Sequence, residues 1–264
     1  MATGFFTDTT VCIGCKACEV ACKQWNQLPS DGYDFTAMSY DNTVALGAST
    51  WRHVEFIERP MPLGGQSAGS FSWLMLSDVC KHCAHAGCLE NCPTGAIIRT
   101  EFDSVFVQPD ICNGCGYCVV GCPFGVIDRD PTDGRAWKCT LCYDRQKDHM
   151  EPACAKACPT DSILFGDVAE LRKKAEERVA HLHEHGMIEA YLYGHDAASQ
   201  PGTGGLNAFF LLVDKPEAYN LPPKPVAPAR RVRTSWASMV FASLALLTAA
   251  AAAVASTCGG GDEC

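Results

Sequence analysis

The apolar positions of this chain fall into short pieces, apart from one long run close to its C-terminal end. Trp51–Glu58 and Ser70–Asp78 are rich in aromatic and branched residues and flank a loop holding Pro60, Pro62, Gly64 and Gly65, which predicts two strands joined as a hairpin. Ile97–Arg99 with Val105–Val107 make a shorter candidate pair, and Ala208–Val213 a further apolar strand. A helix is predicted over Val168–His185, with Asp167 as its N-cap and Gly186 just past its end. From Asp214 the composition turns to proline. Pro216, Pro222, Pro223, Pro225 and Pro228 fall within 13 residues and predict an extended, polyproline-like connector. After Arg230, Arg231 and Arg233, the stretch Trp236–Ser256 runs 21 residues without a charge, enough as a helix to cross a hydrocarbon core of about 30 Å. Ala249 to Ala253 are consecutive, so this segment inserts less strongly than a leucine-rich one but packs closely on neighbouring helices. It is the chain's membrane-anchor candidate, against the alternative of a soluble alanine-rich helix.

Between these pieces cysteine is the dominant signal. Of 18 cysteines in 264 residues, sixteen form four groups: Cys12, Cys15, Cys18, Cys22; Cys80, Cys83, Cys88, Cys92; Cys112, Cys115, Cys118, Cys122; and Cys139, Cys142, Cys154, Cys158. Disulfides between such close neighbours would close tiny strained rings, and no secretory signal supports them. Zinc accepts paired C-x2-C units, and the fourth group has that outline. Groups one and three do not: both read C-x2-C-x2-C-x3-C, the spacing that places three thiolates around one face of a [4Fe–4S] cube and sends the fourth to a second cube. Group two keeps that frame with two extra residues, and proline follows the last cysteine in groups two, three and four (Pro93, Pro123, Pro159). Proline ends the helical turn carrying that thiolate. Five residues after each of those cysteines comes Ile97, Ile127 or Ile163, an apolar residue placed to shield a cube or simply to pack in the core. Four full sets of thiolates, with no His or Asp substitution, give four [4Fe–4S] clusters as the expected cofactors.

Each thiolate-bound cube carries about −2 when oxidised, so the clusters add roughly −8 to a formal charge of −9. Lys16, Lys23, Lys81 and Lys138 lie beside the motifs and either offset that field or are ordinary solvated lysines. The acidic balance argues against a nucleic-acid partner, which needs a basic face. Met1–Val11 has no basic residue and no apolar run, so no cleavable signal is expected there. No Walker A loop, strand-linked G-x-G-x-x-G, C-x-x-C-H haem attachment or nucleophile elbow occurs, so no catalytic residues are assigned and the chain is read as non-catalytic. Gly202, Gly204 and Gly205 sit in a polar loop that opens no helix. His181, His183 and His185 fall at a helix C-terminus, where cations are favoured without any metal.

With these features in place, the chain resembles the iron–sulfur (beta) subunit of membrane-bound respiratory formate dehydrogenase. The segments that carry the likeness are Cys12–Asn26 (CIGCKACEVACKQWN), Cys112–Phe124 (CNGCGYCVVGCPF), Lys138–Arg145 (KCTLCYDR), the helix near Ala169–His185 and the single anchor. The cysteine groups alone are shared by electron-transfer subunits of many molybdopterin enzymes. The resemblance implies an α+β fold of two ferredoxin-like 2×[4Fe–4S] domains related by pseudo-twofold symmetry, with a β-hairpin insert and a C-terminal transmembrane helix. One domain is expected from residues 1–79 and 133–213 (groups one and four, with the strand insert 23–79) and the other from residues 80–132 (groups two and three). A proline-rich linker (214–235), the transmembrane helix (236–256) and a tail (257–264) would follow.

The resemblance also implies crossed ligation. The four cubes would be held by Cys12, Cys15, Cys18 with Cys158; by Cys139, Cys142, Cys154 with Cys22; by Cys80, Cys83, Cys88 with Cys122; and by Cys112, Cys115, Cys118 with Cys92. Electrons would pass in that order, from an alpha subunit with a molybdenum or tungsten bis-pterin site towards a membrane cytochrome b (gamma) subunit and quinone. The arginines before the anchor, with Asp262 and Glu263 after it, place the cluster domain in the cytoplasm by the positive-inside rule. In the family it lies outside, exported folded with the alpha subunit, and that side is expected here. Cys258 and Cys264 are left over, as free thiols or a disulfide. The competing functions are the same wiring on a hydrogenase or on a polysulfide, thiosulfate or sulfoxide reductase, and, from a different class, a structural zinc protein.

Overall fold

The computed structural model describes residues 1–32, 36, 37, 41, 43–59 and 72–258. The expected loop with Pro60, Pro62, Gly64 and Gly65, and Cys264, lie outside the described residues. In chain order the first half contains β1 (Thr3–Asp8), α1 (Ala17–Asn26), β2 (Arg52–Arg59), β3 (Ser72–Val79), α2 (Gly87–Glu90), β4 (Ile97–Arg99), β5 (Val105–Val107) and α3 (Tyr117–Gly121). The second half contains β6 (Asp128–Arg129), β7 (Ala136–Trp137), α4 (Tyr143–Lys147), α5 (Ala153–Lys156), β8 (Ile163–Asp167), α6 (Val168–Glu184), β9 (Tyr191–Tyr193), β10 (Ala208–Leu212) and α7 (Val232–Cys258).

The principal sheet runs β8-β1-β10-β9. β1 and β10 are parallel, with Phe6 opposite Phe209, and the run Ala208–Leu212 is buried throughout, as a strand covered on both faces requires. Phe6 and Phe209 stack with ring centroids 5.5 Å apart. Helix α6 lies on this sheet through Leu171, Ala175 and Leu182, one apolar stripe at helical spacing. The Asp167 carboxylate accepts from the N–H groups of Ala169 (2.9 Å) and Glu170 (3.2 Å), satisfying two of the four free donors of the first turn. The β2–β3 and β4–β5 pairs are both antiparallel, with Ile97 opposite Val107 in the second. β1 itself was not anticipated from the sequence. Its TGFFTD run is too short to be told from loop without its partners.

At Gly4 the backbone of Asn207, just before β10, passes close to β1. A Cβ there would sit 1.8 Å from the Asn207 carbonyl oxygen, which accepts from Phe5 N–H at 2.8 Å. The obstacle is backbone and cannot rotate away. Gly4→Ala is therefore expected to cost about 3 kcal/mol, the upper end of overpacking penalties. Thermal denaturation under anaerobic conditions should show a melting temperature lower by roughly 6–12 °C. A change under about 2 °C would show that the two strands separate easily.

The proline-rich stretch 214–235 differs from the expected extended connector. Its first part belongs to the compact unit Met1–Ala227, and Pro216–Tyr219 forms a 3-10 turn. Tyr219, Leu221 and Ala227 are buried; Tyr193 Oη donates to Pro222 O at 2.6 Å and Ala227 N–H donates to Gly202 O at 3.0 Å. Proline has no N–H to satisfy and a φ that suits a first turn, so the same residues that favour extension also line apolar surface.

The second unit begins at Pro228. A 3-10 turn over Pro228–Arg231 leads into α7, whose 27 residues exceed the 21 expected. Pro228–Ser256 contains an 18-residue window of mean hydropathy 2.0 and is long and apolar enough to cross a membrane. Within it Ser243 donates to Met239 O, Thr248 to Ala245 O and Ser256 to Ala253 O, so these three hydroxyls need no water.

Candidate metal centres

All four cysteine groups are shaped by the same backbone device. The residue before the second cysteine is left-handed in each: Gly14 (φ 67°), His82 (φ 43°), Gly114 (φ 71°) and Leu141 (φ 58°). Reversing the chain at that point lets the first two sulfurs of a C-x2-C pair face the same space. Glycine adopts this conformation freely, and the two non-glycine positions hold it at a cost of order 1 kcal/mol. A second repeated turn follows the last cysteine of groups two, three and four, where the third residue along is again left-handed: Gly95 (φ 68°), Gly125 (φ 64°) and Asp161 (φ 52°). That turn returns Ile97, Ile127 and Ile163 to the interior, and all three are buried. Group one has no such proline, and its last cysteine continues into α1.

The sixteen grouped cysteines are all free of disulfides; eight are buried and six half-buried. Only Cys15 and Cys115 are exposed. Their neighbourhoods do not follow the sequence groups. Cys12 has Cys158 and Cys15 within electrostatic reach. Cys22 has Cys154, Cys139 and Cys142. Cys83 and Cys88 both face Cys80 and Cys122, and Cys118 faces Cys112, Cys115 and Cys92. Three further proximities join these gatherings in a row: Cys18 to Cys154, Cys139 to Cys80, and Cys88 to Cys118.

Two of the gatherings enclose cavities. Cys22, Cys139, Cys142 and Cys154 line one together with Phe5, Trp51 and Leu141. Cys80, Cys83, Cys88 and Cys122 line another together with Ala86, Val105 and Ile127. A zinc ion draws four sulfurs to about 2.3 Å from one point, and among the described residues no three metal-binding side chains converge in that way. The all-sulfur donor sets fit an inorganic iron–sulfur core.

Burial pushes the thiols of Cys18, Cys88 and Cys142 up to about 12 and that of Cys118 up to about 11. Such groups become ligands only as iron displaces their protons, so loading the sites releases protons. At Cys92 burial acts in the same sense but is outweighed by the Thr94 hydroxyl and nearby backbone N–H groups, and its thiol sits below the usual value. Donors to sulfur are distributed around the sites. Ser77 Oγ lies 3.2 Å from Cys18 Sγ, Ala136 N–H donates to Cys112 Sγ at 3.4 Å, and Leu141 N–H to Cys139 Sγ at 3.3 Å.

The four motif lysines divide. Lys16 pairs with Asp41 (3.1 Å) and Glu19 (3.3 Å), Lys23 with Asp31 (2.8 Å), and the fully buried Lys81 with Asp78. Lys138 is buried and donates to the carbonyls of Val105 and Cys139. One deeply buried cation was missed from the sequence. Arg52, at 1 % exposure, donates through Nη2 to Cys154 Sγ at 3.3 Å and through Nη1 to Ser77 O at 3.1 Å. An arginine opening a strand 28 residues before the next cysteine group carries no motif. The histidines at the end of α6 hold no metal-like geometry: His181 and His185 stack at 4.2 Å, and His183 Nε2 lies 2.7 Å from Ala190 O.

Comparison with known proteins agrees with this chemistry. Residues 11–96 and 71–168 each match a family described as a 4Fe-4S dicluster domain. Over 220 residues the chain is 44% identical to the formate dehydrogenase iron-sulfur subunit of Haemophilus influenzae, covering 82% of this chain and 67% of that protein. It is 41% identical over 220 residues to the nitrate-inducible formate dehydrogenase iron-sulfur subunit of Escherichia coli, covering 82% and 71%. The B subunit of the anaerobic dimethyl sulfoxide reductase of Escherichia coli is 34% identical over 171 residues, 65% of this chain and 76% of that protein.

Proposed function

Because this chain is a member of the family of formate dehydrogenase iron–sulfur subunits, we propose that it is the non-catalytic wire of such a complex, carrying four [4Fe–4S] clusters from a formate-oxidising subunit to a membrane acceptor. When bound, each cluster supplies a one-electron centre whose potential is set by charge, hydrogen bonds and exposure.

The observation that carries this reading is the gathering of cysteines across sequence groups. It supports crossed ligand sets, with Cys18 assigned to the first by its spacing in the motif: Cys12, Cys15, Cys18 and Cys158; Cys22, Cys139, Cys142 and Cys154; Cys80, Cys83, Cys88 and Cys122; and Cys92, Cys112, Cys115 and Cys118. The row of proximities between the sets supports that order of transfer, with the exposed Cys15 and Cys115 falling in the two end sets. The repeated left-handed turns support two ferredoxin-like halves related by pseudo-twofold symmetry, groups one and four (1–79 and 133–213) against groups two and three (80–132). In this scheme β2 and β3 form a hairpin insert within residues 23–79.

The partners proposed are an alpha subunit with a molybdenum or tungsten bis-pterin site and a membrane cytochrome b reducing quinone. α7 anchors the chain in the cell membrane as a single span, with the cluster domain on the extracytoplasmic side. Purification of the native complex tests the assignment. The expected result is formate-dependent reduction of a quinone analogue by a preparation containing this chain in stoichiometric amount. A complete, cluster-loaded complex inert to formate but active on a sulfoxide or on hydrogen would replace it with the alternative wiring.

A further inference from the structure

Two buried cations, Arg52 and Lys138, stand apart from Lys16, Lys23 and Lys81 beside the same cysteine groups. Lys16, Lys23 and Lys81 each have a carboxylate partner. Among the described residues no ion pair to a carboxylate includes Arg52 or Lys138, although Arg52 is 1 % exposed and Lys138 2 %. An isolated cation is not tolerated at such depth without a compensating anion. The groups that can compensate are sulfurs. Arg52 is surrounded by Cys154, Cys18, Cys139 and Cys22, and its Cζ lies 4.7 Å from the centroid of the Phe5 ring. Lys138 has Cys80, Cys88 and Cys139 around it.

These neighbours come from different ligand sets. Cys18 belongs to the first, Cys22, Cys139 and Cys154 to the second, and Cys80 and Cys88 to the third. Arg52 therefore sits at the junction of sets one and two, and Lys138 at the junction of sets two and three. Arg52 is also tied to both sides of its junction by hydrogen bonds. Nη2 donates to Cys154 Sγ (3.3 Å), and Nη1 reaches Ser77 Oγ (3.3 Å), which itself lies 3.2 Å from Cys18 Sγ.

We propose that Arg52 and Lys138 are positioning charges built into the two successive junctions of the wire, each raising the reduction potentials of both clusters it touches. The sign follows from the electron count. One-electron reduction adds a unit negative charge to a cube, and a fixed cation in a low-dielectric interior stabilises the reduced form more than the oxidised one. A charge shared by two neighbours also lifts them together, keeping them close in potential. The second set, touched by both cations, is lifted most, and the fourth set (Cys92, Cys112, Cys115, Cys118) is touched by neither.

This inference rests on the ligand sets proposed above, which cysteine-to-serine variants assign independently by removing one spectroscopic signal each. The test is a redox titration of the purified complex followed by EPR, on Arg52→Gln and Lys138→Gln. In R52Q the signals of sets one and two should shift to lower potential by at least tenfold in reduction equilibrium constant, about 59 mV for a one-electron couple. In K138Q those of sets two and three should shift likewise. One signal thus moves in both variants, and that of set four in neither. No shift in fully loaded protein, or an equal shift of all four signals, overturns the proposal. Arg52→Lys and Lys138→Arg keep the charge and should restore the potentials. If the glutamine variants lose iron, retention of iron and wild-type potentials in the charge-conserving variants supports a role for the charge. Loss of iron there too shows a structural role and overturns it. Should the serine variants assign the sets differently, the ligation scheme fails by itself, while the pairwise movement of signals still reads the charges.

Discussion

Serine in place of Cys22 should abolish a cluster whose other three ligands, Cys139, Cys142 and Cys154, lie more than a hundred residues further along the chain. Cys22 is buried on α1 among those three sulfurs, with the Asn26 side-chain amide donating towards its Sγ at 3.6 Å. Serine offers a harder, less readily ionised ligand and cannot replace a terminal thiolate in this dry site. Iron in the purified chain is expected to fall from about 16 to about 12 atoms, or to about 15 if a three-iron remnant survives. The EPR signal lost should be that of the set containing Cys139. The reciprocal change, Cys158→Ser, should remove the signal of the set containing Cys12, Cys15 and Cys18. Loss of the Cys12 signal in the Cys22 variant would contradict crossed ligation. The effect extends beyond redox chemistry, since the first and fourth cysteine groups lie about 120 residues apart in sequence and their sulfurs share one apolar cluster with Phe5, Trp51 and Ile163. A cube held from both groups acts as a cross-link, and its loss should make the chain markedly more sensitive to protease.

Deletion of residues 228–264 should move the subunit, expressed with its partners, from the membrane pellet to the soluble fraction. The basis is the composition of α7: Trp236, Phe241, Leu244, Leu246 and Leu247 are exposed along a helix of 27 residues, about 40 Å long, with no charged residue after Arg233. The first compact unit ends at Ala227 and contains all sixteen grouped cysteines, so the truncated chain should retain its full iron. Alkaline carbonate extraction followed by iron analysis checks both halves of the prediction. A truncated chain that resists carbonate as the full chain does would assign anchoring to the partners. Loss of iron on truncation would show that α7 supports the cluster sites.

Much of the site was legible in the sequence because a cluster loop is a local object. The spacing C-x2-C-x2-C-x3-C, with proline next, determines which sulfurs a short turn brings to one face, and the turns at Gly14, Gly114, Gly95 and Gly125 have the glycine they call for. His82 and Leu141 hold the same left-handed conformation without any sequence sign of it, because neighbouring cysteines and packing impose what composition does not. β4, β5 and the capped start of α6 were also legible, being set by short alternation and by the Asp167 side chain. β1 was not, since its meaning comes from β10, some 200 residues away. Prolines 216 to 228 pointed to an extended connector, yet Tyr219 and Ala227 are buried, because chain stiffness says nothing of what surface lies within reach.

The sequence by itself determined the chemistry: sixteen cysteines at cluster spacing, an acidic chain without substrate-handling motifs, and one apolar run long enough to cross a membrane. Ligand type and local spacing suffice for those conclusions because both are properties of a few adjacent residues. Tertiary structure decided which sulfurs from different groups meet, and which cations stand between them. Arg52 looks like any strand arginine and Lys138 like any surface lysine until the fold removes both from water. In that dry interior their charges are left facing thiolates, and the low dielectric that makes such burial costly is what gives them influence over the clusters on either side.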